Sequence, residues 1–507
     1  MTQLRKYGLP LLAFMLLFAL VFANVGSAKA SARTANWTVA VTYQNVGTQA
    51  SSVFVEFYSE GSSTPIQFDP LDGGKLAAGA GKSFWIGAVN DVPSGFNGNA
   101  VMQSDQPLVA TVVQFSQDPG FKMRLLYNGF QTSGASNQYL IPTALLNKFS
   151  RTTVFSIQNT ENQSIDVTVR FYDADDNGKL VSTIKHTIKK NSSKFIKMDD
   201  TSDTGFPASK TVFNGSAIVT AVFTSGGGDA NVVAAANEYY TNSNLAASFE
   251  GVPVTAAGNT IYLATGLCER FGLDTFYAVS NADAVSGNAK ITVEYFNTDG
   301  TSKAKDGPYT IGPGQKKSIR TCNPSDGTNM SNFTGSAVVT STGNAIVVMG
   351  KAQNSLNAGT SGTKDVFTAF LGESGGTTKK AMPFVRWAND SQYNDPNNNG
   401  GKQRSFIAIE NVSNSSGKFD VKYFDKNGKL VATHTLTINA SSKGNTNASL
   451  AGALGSSGMV SGAFGYYTDN TAGGGVIVES QGSQKFIAID RVQNPGAGED
   501  ANAVPAP

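Results

Sequence analysis

The sequence predicts an all-β protein: four tandem antiparallel β-sandwich modules behind an N-terminal signal helix. Three observations predict it. A two-strand motif returns four times at domain-sized intervals. Within each copy apolar and polar residues alternate with period two. Helical periodicity is nearly absent beyond the first 30 residues.

The motif reads VAVTYQNVGTQASSVFVEFYSEG from Val39. It returns as TVFSIQNTENQSIDVTVRFYDADDNG from Thr153, TFYAVSNADAVSGNAKITVEYFNTDG from Thr275 and SFIAIENVSNSSGKFDVKYFDKNG from Ser405. Its loop asparagines, Asn45, Asn159, Asn281 and Asn411, are 114, 122 and 130 residues apart. Such periods are long enough for each repeat to bury its own core. Residues two apart on a strand share a face. The inner pairs before the Asn are therefore Val41/Tyr43, Phe155/Ile157, Tyr277/Val279 and Ile407/Ile409. The inner triplets after it are Val53/Val55/Phe57, Val167/Val169/Phe171, Ile291/Val293/Tyr295 and Phe419/Val421/Tyr423. Glu56, Arg170, Glu294 and Lys422 between them mark the wet face of an antiparallel sheet. The Asn ends a strand, where it tolerates left-handed backbone and its side chain can bond nearby amides. Asn177-Gly178, Asp299-Gly300 and Asn427-Gly428 read as hairpin turns.

Further strands follow in each copy. One ends in a polar turn at Leu76 to Phe84, Thr187 to Phe195, Thr310 to Ser318 and Thr435 to Lys443. A small-residue start comes next: Gly98-Asn99-Ala100, Gly215-Ser216-Ala217, Gly335-Ser336-Ala337 and, more loosely, Ser461-Gly462-Ala463. Small residues there suggest close backbone approach. Apolar strands are expected at Leu108–Phe115, Asn231–Tyr239, Ala345–Ala352 and Gly475–Glu479, and last strands at Met123–Tyr127, Leu245–Phe249, Val366–Leu371 and Phe486–Ile489. Copies two to four open on an extra strand at Tyr139, Ile261 and Ala381 that copy one lacks. The missing strand is either a shortened terminal module or a sheet edge open to another chain's strand. The boundaries are 1–30 for the signal peptide, 31–137, 138–257, 258–377 and 378–494 for the sandwiches, and 495–507 for a disordered polar tail.

Arg5 and Lys6, the apolar run Leu9 to Phe22 and Ala28-Lys29-Ala30 form a secretory signal cleaved after Ala30. An uncleaved anchor is the alternative, though the run is short for a span. The mature chain carries no span, so the predicted location is secreted or cell-surface. Without Arg5, Lys6 and Lys29 the charges balance at 36 basic to 37 acidic, which argues against nucleic acid. Cys268 and Cys322 both fall in the third copy and are a disulfide candidate, worth about 3–4 kcal/mol on the chain-entropy model. Two free thiols are the alternative.

Enzyme and cofactor signals are weak. His186 and His434 hold equivalent strand positions and join no nucleophile motif. Asp173 to Gly178 and Asp395 to Gly400 match the first half of a calcium loop but lack its closing acid, so no cofactor is assigned. The second aromatic of each copy, Tyr58, Tyr172, Phe296 and Phe424, is placed on the wet face, a weak candidate platform for a sugar. The Asn389 to Gly401 loop of the last copy is another exposed candidate.

Seven or eight short strands per unit with turn signals between them resemble the tandem immunoglobulin-like modules of bacterial secreted and surface proteins. The Cys…Trp…Cys mark of true immunoglobulin domains is missing. The resemblance implies surface display, adhesion, or a structural layer or filament, and carries over no functional residue. The expected function is a non-enzymatic structural or adhesive one. Its partners would be a protein, a surface or matrix polysaccharide, or further copies of the chain. A carbohydrate-binding protein and a secreted hydrolase are the rivals.

Overall fold

Alternation builds strands, and strands pair where one face can be buried. The computed structural model describes residues 35–118, 123–354, 366–397, 402–454, 472–494 and 497–507. They form an all-β chain of antiparallel sheets. Among them no helix is long and apolar enough to cross a membrane. The signal segment lies outside them.

The strands fall into four groups along the chain. The first holds β1 (Trp37–Asn45), β2 (Val53–Ser59), β3 (Ile66–Phe68), β4 (Gly81–Trp85), β5 (Gly98–Ser104), β6 (Leu108–Ser116) and β7 (Arg124–Asn128). Its sheets run β4-β1-β6-β7 and β3-β2-β5. The second holds β8 (Gln138–Leu146), β9 (Arg151–Asn159), β10 (Ile165–Asp173), β11 (Lys179–Ile188), β12 (Ser193–Lys197), β13 (Phe213–Phe223), β14 (Val232–Tyr240), β15 (Ala246–Glu250) and β16 (Val252–Pro253). Its sheets run β11-β10-β13-β8-β16 and β12-β9-β14-β15.

The third group holds β17 (Thr260–Cys268), β18 (Leu273–Asn281), β19 (Ala289–Asn297), β20 (Ser302–Ile311), β21 (Lys316–Arg320), β22 (Phe333–Gly343), β23 (Ile346–Asn354) and β24 (Phe367–Leu371). Its sheets run β17-β22-β19-β20 and β21-β18-β23-β24. The fourth holds β25 (Lys379–Trp387), β26 (Arg404–Asn411), β27 (Gly417–Asp425), β28 (Leu430–Ile438), β29 (Lys443–Thr446), β30 (Ala472–Ser480), β31 (Phe486–Asn494), β32 (Ala497–Asn502) and β33 (Val504–Pro505). It forms one nine-stranded sheet, its halves joined where Trp387 meets Arg404.

The inner triplets pack as the alternation requires. Val53, Val55 and Phe57 are buried, as are their counterparts in the other groups. The small-residue starts have a common cause. A Cβ on Gly98, Gly215 or Gly335 would collide with the carbonyl oxygen of Tyr58, Tyr172 or Phe296 on the neighbouring strand, and with the ring of Phe96, Phe213 or Phe333 two residues before it.

Two expectations for the fourth group are corrected. The strand pairing with both β27 and β25 is β30, the place that β13 holds between β10 and β8. The small-residue start is thus Gly473-Gly474-Gly475, and Ser461-Gly462-Ala463 lies outside the described residues. Every later strand moves up one place. The tail expected to be disordered therefore supplies β32, paired with β31, and Val504–Pro505, paired with β25. A polar stretch such as GEDAN looks like a tail until neighbouring elements bury it.

Candidate functional site

The loop asparagines form four copies of one staple. Each is fully buried. Asn159 Nδ2 donates to the Gln163 carbonyl at 2.8 Å and the Lys189 carbonyl at 3.0 Å, while its Oδ1 accepts from the Glu161 amide at 2.8 Å. Asn45, Asn281 and Asn411 repeat the pattern. None has positive φ, so the residue serves through its amide and not through left-handed backbone.

Tyr58, Tyr172 and Phe424 are corrected from wet-face platforms to seam residues, and Phe296 lies beside a seam. Tyr58 is only 3% exposed and Tyr172 5%. Tyr58 accepts from Asn191 Nδ2 of the second group at 3.1 Å. Tyr172 packs with Ala282 and Val347 of the third group, beside Gly314. The turn after half-buried Phe296 meets the fourth group, where the Lys443 amide donates to the Thr298 carbonyl at 3.1 Å. Half-buried Phe424 packs with Val46 and Val109 of the first group, beside Gly79. The seams thus run first to second, second to third, third to fourth and fourth back to first.

The last strands close the same circuit. β15 packs against β7 and β24, and β32 packs against β24 and β7. Where they meet, Asn128 Nδ2 donates to the Asn502 carbonyl at 2.7 Å, and Ser248 Oγ to the Leu126 carbonyl at 2.8 Å. Asn502 and Leu371 exchange two bonds of 2.8 Å, side chain to main chain. Thr368 Oγ1 donates to Asp500 at 2.5 Å. The four groups form a closed ring.

Buried charges sit in these seams, and the sequence reading missed them. Glu238 is fully buried and joins Arg151 at 3.1 Å and Lys351, across the second seam, at 2.6 Å. Burial opposes ionisation of Glu238, but Lys351 and Arg151 outweigh it and hold the carboxyl below its usual range. Arg151 also lies over the rings of Tyr240 and Phe367, 4.7 and 4.5 Å from their centroids. Lys316 donates to Asn214 Oδ1 at 2.8 Å, and burial, then repulsion from Lys351, pushes its ammonium down to about 7. In the fourth group burial raises the Asp490 carboxyl to about 8. A visible signal existed: Glu238 and Lys351 are the one charged residue in each of two largely apolar strands, VVAAANEYY and IVVMGKAQN.

The remaining candidates take structural places. Cys268, at the end of β17, is disulfide-bonded to Cys322, with Cα atoms 5.0 Å apart. Both sulfurs are used in that bond, so the neighbouring Asp274 does not complete a thiolate metal set. Of the first calcium-like loop, Asp173 pairs with Lys210 at 2.9 Å and Asp175 with Lys148 at 2.7 Å, so their charge is spent on lysines. The second reaches past residue 397, outside the described residues. Within the Asn389 to Gly401 loop, Asn389 caps the short helix Asp390–Tyr393, and Asp390 pairs with Arg404 at 2.5 Å. His434 Nδ1 shares a 2.6 Å bond with Thr446, and His186 Nε2 lies 3.4 Å from the Asp203 carbonyl.

No family model matches the chain, and no curated protein matches it. Among solved structures, the native conformation of E. coli alpha-2-macroglobulin aligns at 9% identity with a TM-score of 0.09. That alignment covers 92% of this chain and 28% of that one, and carries no argument about fold or function.

Proposed function

We propose that this chain is an exported, non-enzymatic structural or adhesive protein of four immunoglobulin-like β-sandwich modules, working at or outside the cell surface. The observation that carries the reading is the closed ring. Strand groups far apart in sequence are locked by buried polar seams, which suits a stiff block that presents loops and edges to a partner. The repeated residues that resemble a site, the loop asparagines and second aromatics, are engaged in folding and seams. The amino-terminal pattern supports export by a cleaved signal, and the disulfide suits an oxidising compartment. Partners are expected to be a surface protein or polysaccharide.

The test begins with fractionation of producing cells. The mature chain is expected outside the membrane with Ser31 at its N-terminus, and to bind intact cells or their wall polysaccharide without turning over glycan, ester or peptide substrates. Recovery in the cytosol, or hydrolysis of any of those substrates, would overturn the reading.

A further inference from the structure

Among the described residues, three of the four seams are filled by a strand that the remaining one lacks. β8 pairs with β13 and packs outward on β18 and β23 of the third group. β17 pairs with β22 and packs on β26 and β31 of the fourth. β25 pairs with β30 and packs on β1 and β6 of the first. At the first seam, β5 has only β2 as a strand neighbour among the described residues.

Among the described residues both walls of that seam are uncovered. On the first group's side, Ala100 and Met102 stand opposite Phe57 and Val55. Their counterparts opposite Phe171 and Val169 are Ala217 and Val219, both at 0% exposure beside β8. The third and fourth groups repeat this with Ala337 and Val339, and with Val476 and Val478. Ala100 is exposed and Met102 half-exposed.

On the second group's side, the residue before the loop Asn is Gln158, which is half-exposed. Gln44, Ser280 and Glu410 hold that position in the other groups, all at 0% exposure under an inserted strand. Ser156 and Ala235 are likewise half-exposed, where Thr42 and Thr111, Ala278 and Met349, and Ala408 and Ile489 are buried. The seam is otherwise built like the rest: Asn99 Nδ2 donates to the Asn191 carbonyl at 2.9 Å, and the Phe195 amide to Glu60 at 3.0 Å.

We propose that this seam is a docking groove for an extended strand of a separate polypeptide, which adds antiparallel to the open edge of β5. An unpaired strand edge offers main-chain bonds, and alternate pockets select side chains. The sister strands specify the occupant. It spans about nine residues, like β8, β17 and β25. Apolar side chains alternate toward the first sandwich, as Met382, Val385 and Trp387 do in the fourth. Toward the second group it presents a small and an aromatic residue, as Ala381 and Phe384 of β25 do where they pack with Val109 and Val113 of the first group.

The chain's own segment one short connection before β1, ANVGSAKAS, lies but for Ser31 in the signal expected to be cleaved, and its one bulky apolar residue, Val25, does not match that pattern. A second copy's β8, β17 and β25 are already paired within its own sheets. The inference is independent of the adhesive reading, since a groove can take a strand in a protein of any role.

The probe is a synthetic peptide of residues 378–388, TKKAMPFVRWA, added to the full mature chain. Calorimetry is expected to show saturable one-to-one binding, and hydrogen exchange to show slowing at residues 98–104. A peptide carrying Met382→Asp and Val385→Asp should bind at least tenfold more weakly. So should the wild-type peptide to an Ala100→Lys/Met102→Lys protein, whose folding is checked by an unchanged melting curve. Absent binding, or binding that leaves β5 exchange unaltered, overturns the proposal. Protection, in the peptide-free monomer, of the β5 amides that do not pair with β2 would assign the groove to the chain's own N-terminal residues. A dimer that the peptide dissociates would assign it to a second copy. Either outcome replaces the separate partner.

Discussion

At the scale of single residues, the loop Asn and the seam lysine make opposite kinds of contribution. Asn159 donates to the Gln163 and Ile188 carbonyls, and shares the Lys189 carbonyl with the Ser192 amide. Asn159→Ala would remove that side-chain donor, at about 1–3 kcal/mol for an unsatisfied buried polar group. Urea unfolding should show that loss. Asn159→Asp should cost at least as much, since a carboxylate donates nothing to a carbonyl. Lys316 instead costs stability. Its folded value of about 7 lies below the ordinary 10.5. Between these values the unfolded chain binds the extra proton, so stability rises with pH across that window. Below about 7 the folded state carries the whole cost of the buried cation. Lys316→Met is therefore expected to raise the melting temperature at pH 6.5, with the gap to wild type closing toward pH 10. A pH-independent gap would place the effect in packing.

Strands and turns are the scale at which the sequence was most legible. The inner triplets and the hairpin turns follow from period-two alternation and local turn chemistry, and both depend on residues close in sequence. The reading slipped where local signals competed. In the fourth group two small-residue stretches, Ser461-Gly462-Ala463 and Gly473-Gly474-Gly475, fit one strand position, and taking the first shifted every later strand by one. The disulfide also acts at this scale, tying the end of β17 to the turn after β21 over 54 residues. A loop of that size is worth about 4 kcal/mol on the chain-entropy model. The Cys268→Ala/Cys322→Ala chain should lose stability of that order in guanidinium unfolding, and wild type under reductant should match it. No change in midpoint would show that the third group does not limit the measured transition.

The ring belongs to the whole molecule and was illegible in the sequence, because its contacts join residues hundreds of positions apart. Nothing local to Asn128 or Asn502 marks them as partners. The strand that completes the ring is the one that composition marked as a tail, which gives a decisive comparison. Removing residues 495–507 would take Asp500 from Arg491, which it grips through two bonds of 2.7 Å. It would take the Ala503 carbonyl from fully buried Lys380, and the Asn502 amide from Leu371. Breaking a buried ion pair by losing one partner costs about 3–5 kcal/mol. Domains are commonly stable by only about 5–15 kcal/mol. The truncated chain should therefore melt at a much lower temperature, with proteolysis beginning in the fourth group and at β7 and β24, the strands that β32 touches. A disordered tail would leave melting and proteolysis unchanged. An unchanged melting curve would remove β32 from the ring and open the circuit between the fourth group and the first.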